Sequence, residues 1–247
     1  DEIEKGVKDK YNWCLGFGYQ FQIPREELND AELRVKRLFC LYSHESPKTV
    51  YRDEFSTFAY ASYLMGLLFA LQTNLSHFFA EAIGFQMFVA LVSMNKLNYQ
   101  LQDLKYTEEH LNKLDDLVKY FLPQLRKQLQ MLDFDLESYI FHWETTLYCE
   151  EHVPLNLLLV WDQIFFHSEE FQFFINFLHV SHLKFMVDNN TDFSSKKSLE
   201  SVPWNAVLIL NQTDELMEKD LGRIRFNYWS FCPCYGLCPS LRKKKYS

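Results

Sequence analysis

Two groups of side chains have the types and spacing of a metal-binding or reactive site. His179 and His182 stand three residues apart in FLHVSHLKF, which on a helix turns both imidazoles to one side, as two ligands of one metal would need. No third ligand follows at a suitable offset, so a pair of satisfied or solvated histidines accounts for the same residues more simply. Cys232, Cys234 and Cys238 put three thiols within seven residues, CPCYGLC, followed by the basic run Arg242, Lys243, Lys244, Lys245. Three readings stand open here. The thiols are incidental, or they are S-acylated beside a polybasic patch, or they hold part of a zinc site whose fourth ligand is missing nearby. The chain has no GxxxxGK[ST], HExxH, GxSxG or GxGxxG sequence. No metal and no cofactor is therefore expected.

The elements that would carry such residues are helical. Seven glycines and seven prolines in 247 residues leave few tight turns and no glycine-rich phosphate loop. A net charge of −8 argues against a general nucleic-acid binder. Six scattered cysteines are too sparse for a disulfide scaffold and fit reduced thiols in a cytoplasmic protein. Residues 55–72 carry no charge, but Ser56, Thr57, Tyr60, Ser62 and Tyr63 crowd their first half. They are expected to form a core helix rather than a membrane span.

The fold class expected is all-α, one compact domain over 30–221. An irregular or short-stranded aromatic segment precedes it over 1–29, and a basic cysteine-containing tail follows over 222–247. Asp30 caps a helix to about Tyr42 with Leu33, Leu38 and Leu41 on one face. Asn74 and Ser76 open another, with Phe78, Phe79, Ala82, Phe85, Met87, Phe88 and Leu91 as its buried set. Thr107, before Glu108 and Glu109, caps a third with Leu111, Leu114, Leu117, Val118 and Phe121 inside. Pro123 restarts a short helix to Leu132. Further helices are expected over 135–149, 154–166, 169–187 and 203–221, with one long surface loop over 188–202.

Residues 121–165, FLPQLRKQLQMLDFDLESYIFHWETTLYCEEHVPLNLLLVWDQIF, carry an ordered set of landmarks. They are Leu122-Pro123-x-Leu125, the helix with Trp143 and Leu147, the turn at Val153-Pro154, and Trp161-Asp162 followed by Ile164 and Phe165. Read as structure, Trp143 and Trp161 are packing anchors, Pro154 opens a helix, and Asp162 bonds backbone or a cation inside the bundle. Together the landmarks resemble the TBC domain, the GTPase-activating module for Rab-type small GTPases. Tyr51 to Phe55 opening an apolar helix, and Glu81-Ala82 in the next, extend the likeness over about 30–221. The resemblance implies an all-α fold of two helical halves with a groove for a GTP-loaded Rab, and a GTPase-facing site at Tyr51, Arg52 and Asp53.

The resemblance also implies two catalytic fingers, an arginine in I-x-x-D-x-x-R and a glutamine in Y-x-Q. The glutamine position here is Asp53, which is shorter, cannot donate when ionised and sets negative charge beside a γ-phosphate. Taking Asp9 as the motif's acid puts Asn12 at the arginine position. Arg34 imitates the motif at the wrong spacing, and Arg52 is the nearest substitute finger. An arginine finger is worth about 10³–10⁵ in rate. The expected function is a catalytically impaired Rab-GAP that binds a Rab-family GTPase as a scaffold in membrane trafficking. The alternatives are an active GAP with atypical fingers and a structural helical subunit of a larger complex. The basic tail would add peripheral contact with an endomembrane from the cytoplasmic side.

Overall fold

The computed structural model describes residues 2–45, 54–94 and 104–220. Among these residues every regular element is helical: α1 Glu2–Asp9, α2 Tyr11–Gln20, α3 Arg25–Leu28, α4 Ala31–Glu45, α5 Glu54–Gln72, α6 His77–Met94, α7 Leu104–Phe121, α8 Pro123–Met131, α9 Leu136–Thr146, α10 Pro154–Phe166, α11 Phe171–Asp188, α12 Lys196–Glu200 and α13 Ala206–Asp220. A 3₁₀ turn, Ser168–Glu170, joins α10 to α11. The chain is all-α, as its shortage of breakers requires.

Two buried helices organise it. In the N-terminal half, α5 is packed by α1, α2, α4 and α6, and every residue from Phe55 to Leu67 is buried. The α5–α6 hairpin is tight because two glycines face the crossing. A Cβ on Gly66 would lie 2.4 Å from the Ala80 carbonyl oxygen, and one on Gly84 would lie 2.8 Å from Tyr63 Cα. In the C-terminal half, α11 is packed by α7, α10 and α13. The halves meet where α9 lies against α5.

Local rules account for the helix ends. Pro123 and Pro154 each occupy the first turn, where a missing N–H costs nothing. Asp135 accepts from the Ser138 backbone N–H at 3.0 Å and so caps α9. Five sequence expectations are corrected. Up to Gln20 the N-terminal segment is helical instead of irregular: α1 and α2 bury Val7, Cys14 and Phe17, and Tyr60 donates to the Val7 carbonyl at 2.9 Å. On α4, Leu33 and Leu41 face out while Val35, Leu38, Phe39 and Tyr42 face in. On α6, Phe78, Phe79 and Ala82 face out and Ala80, Gly84, Phe88, Leu91 and Val92 face in. The close crossing admits only the small residues Ala80 and Gly84, which a ranking by hydrophobic size puts last. Thr107 does not open α7, which already begins at Leu104, and 188–202 contains the short helix α12.

Candidate functional site

Glu54 is the first described residue after the Tyr51–Asp53 stretch, and Thr57 stands one turn into α5. The Thr57 hydroxyl donates to Glu150 Oε1 at 3.1 Å. Lys10, in the corner between α1 and α2, donates to the same oxygen at 2.5 Å. His142 on α9 places Nε2 3.5 Å from Glu150 Oε2 and 3.6 Å from Glu151 Oε1. Elements from both halves therefore converge on two consecutive glutamates. Asn12 is exposed on α2, two residues from Lys10.

The electrostatics separate the two acids. Contact with His142, then with Lys10, holds the Glu150 carboxyl down to about 2 despite burial. The same contact with Glu150 raises His142 above its ordinary value. Burial drives Glu151 the other way, to about 7, and its Oε2 is buried without a partner.

The glutamates are aimed by a strained turn. Leu147 and Tyr148 are consecutive non-glycine residues in the left-handed region, at φ 47° and 62°. The indole N–H of Trp161 donates to the Leu147 carbonyl at 3.0 Å, and the Tyr148 hydroxyl bonds His179 Nδ1 at 2.5 Å. His179 Nε2 in turn contacts Glu144 Oε1 at 3.0 Å. Trp143 is fully buried and stacks over His179. The landmark tryptophans thus hold the turn that delivers Glu150 and Glu151.

His179 and His182 are not solvated, and each is satisfied inside the protein. His182 Nδ1 donates to the Leu178 carbonyl at 2.8 Å, which leaves its Nε2 to accept from His152 Nε2 at 2.9 Å. Burial lowers both groups, His152 to about 4 and His182 well below its ordinary value. No group of three or more metal-ligating side chains occurs among the described residues. Pro154 is buried at the start of α10. Asp162 corrects its expectation, because it lies exposed on the outer face of α10 instead of inside the bundle.

Arg34 is held beside Tyr63 of α5, ion-pairing with Glu81 on α6 and lying 3.7 Å from Asp30. Arg37 lies 3.4 Å from the same Glu81. Tyr51, Arg52, Asp53, Cys232, Cys234 and Cys238 lie outside the described residues. Lys10, Thr57, His142, Glu150 and Glu151 escaped the sequence reading. The one available signal was a pair of acids set between the Trp143 helix and the Pro154 turn.

No curated protein and no solved structure matches this chain. A family description does: Rab-GTPase-TBC domain, over residues 21–186. That stretch starts just after α2, takes in both buried helices and the turn between Trp143 and Trp161, and ends within α11. With more than half of its length matched and an all-helical fold around those landmarks, the chain belongs to the Rab-GTPase-TBC domain family.

Proposed function

We propose that this chain is a TBC module that binds a Rab-type GTPase at the α5 end of its groove without accelerating GTP hydrolysis. It would act as a scaffold in membrane traffic, on the cytoplasmic face of an endomembrane that its basic tail contacts. One observation carries the reading: the lysine beside the start of α5, Lys10, is already bound to Glu150. A GTPase-activating site must bring free positive charge to phosphates whose charge is developing. Here the described side chains add carboxylates instead, and Arg34 and Arg37 are held at Glu81. Asn12 and Asp53 at the finger positions point the same way, since neither supplies a cation and Asp53 supplies an acid.

Single-turnover GTP hydrolysis by a panel of Rab-type GTPases tests this, together with capture of each GTPase on GTP and on GDP. GTP-dependent capture with less than about tenfold stimulation is expected. Stimulation above that level, lost in Arg52→Ala, would replace this reading with an active GAP. Capture indifferent to the nucleotide would point to a structural subunit.

A further inference from the structure

Helix α10 is apolar on two faces. Leu157, Val160, Trp161 and Ile164 are buried where it packs on α11 and α13, as the core stripe of a surface helix should be. The opposite face should then be polar. Instead Leu155 is 66% exposed, Leu159 44% and Phe166 79%, and the other residue on that line is the exposed Asp162. These four follow one another at intervals of four, three and four residues, the spacing of a seam along which a second helix lies. From Leu155 to Phe166 the seam runs about 17 Å, or roughly three turns. Among the described residues the Asp162 carboxylate has neither an ion pair nor a hydrogen bond.

Charge says what kind of helix fits. Residues 128–183 hold nine acids and no lysine or arginine. Asp162 stands within the seam, and the exposed Glu169 follows just past its C-terminal end. A helix lying there has to bring a cation to Asp162, because a carboxylate covered without one is costly. Further basic residues on that helix would meet an acidic surface. A second copy of α10 does not meet this need. Parallel pairing of the seams sets Asp162 on Asp162, and antiparallel pairing sets Asp162 on Leu159, so either way the charge is covered without a counter-charge. A nucleic acid or an anionic lipid surface would be repelled.

We propose that the outer face of α10 docks a basic amphipathic helix of a partner protein, with apolar residues against Leu155, Leu159 and Phe166 and a lysine or arginine against Asp162. This contact is separate from the GTPase docking proposed above, since none of the side chains that converge on Glu150 and Glu151 comes from α10. It gives the scaffold a second place to hold protein.

The probes are two synthetic helical peptides with leucine along the seam and a single lysine at its second or its third position, which suit antiparallel and parallel docking. Fluorescence anisotropy with the purified full chain measures their binding. One of the two is expected to bind. Asp162→Lys should weaken it about tenfold or more, and exchanging the peptide's lysine for glutamate should restore binding to that variant. Phe166→Ser should also weaken it about tenfold, with an unchanged unfolding midpoint because the ring is exposed. Absence of binding by both peptides, or binding indifferent to either substitution, would overturn the proposal. So would self-association of the wild type that Phe166→Ser abolishes, which would make a second copy the occupant. Peptide binding that appears only once Lys243, Lys244 and Lys245 are changed to Glu would make the tail the occupant and overturn it equally. GTP-dependent capture of a Rab-type GTPase should survive Asp162→Lys, and its loss would make the GTPase itself the occupant in place of a separate helix.

Discussion

Helices α5 and α11 are both enclosed by their neighbours, yet by different means. Around α5 the chain relies on backbone proximity, with Gly66 and Gly84 letting α6 approach until no Cβ fits. Two of the polar atoms enclosed there, Ser62 Oγ and Tyr63 Oη, are buried without a hydrogen-bond partner, while Tyr60 and Thr57 donate to the Val7 carbonyl and to Glu150. Around α11 the chain relies on polar specificity. His179 spans Tyr148 and Glu144, His182 joins Leu178 to His152, and Ser181 donates to the Phe177 carbonyl at 2.8 Å. The first arrangement fixes distance and the second fixes orientation. The orienting helix is the one that sets the strained turn carrying Glu150 and Glu151, where a functional site needs its direction defined.

The largest effect should come from the crossing at α5. Gly66→Ala forces a methyl against backbone on α6, which cannot move aside without separating the helices. It should cost about 3 kcal/mol or more, and Gly84→Ala a comparable amount. Gly16→Ala is the internal control, because its Cβ would meet nothing within 4 Å. It should stabilise by about 0.5–1 kcal/mol, through the lower entropy of its unfolded chain. Chemical denaturation of the three variants measures this. A mild Gly66→Ala would mean that distance is not what the α5 half depends on.

The α11 half should instead respond to chemistry at constant size. Glu144→Leu leaves His179 Nε2 without its acceptor in a buried site and should cost about 1–3 kcal/mol, whereas Glu144→Gln, which keeps a carbonyl oxygen there, should cost less than about 1. The cycle with His179→Leu should return a coupling of about 0.5–3 kcal/mol. Equal losses for Leu and Gln would erase the contrast between the two halves.

The contrast also explains what the sequence could and could not disclose. Helix α5 was legible because an uncharged run with hydroxyls in its first half has few destinations other than a core, and the Pro123, Asp135 and Pro154 helix starts follow from local chemistry alone. The inner face of α6 was not legible. A periodic reading assigns the large residues inward, and here a helix crossing through glycine turned Phe78 and Phe79 out. Likewise the aromatic N-terminal stretch looked irregular because Gly16 and Gly18 suggest breaks, yet Gly18 serves as a contact point for Leu28 inside a continuous helix. The paired glutamates were invisible because their partners Lys10, Thr57 and His142 are separated from them by up to 140 positions. Only the folded chain assembles such a set.

The subtlest difference lies where the two halves join, between adjacent residues that should respond to pH in opposite senses. Glu151 is held protonated up to about 7 in the folded chain and ionises near 4.5 when unfolded. The folded state therefore binds the extra proton between those values, and stability falls as pH rises through them. His152 stays neutral down to about 4 when folded but takes a proton below 6.5 when unfolded, so it removes stability as pH falls from 6.5 to 4. Glu151→Gln should accordingly stay close to wild type below pH 4.5, gain on it steadily, and level off about 3 kcal/mol more stable above pH 7. His152→Gln, which retains an N–H for His182, should leave that basic limb alone and make the acid limb shallower, with His182 still titrating. Urea unfolding across pH 4–8 separates the two. A Glu151→Gln curve parallel to wild type over the whole range would mean that the buried carboxyl finds a partner on ionising and that the junction carries no proton-linked strain.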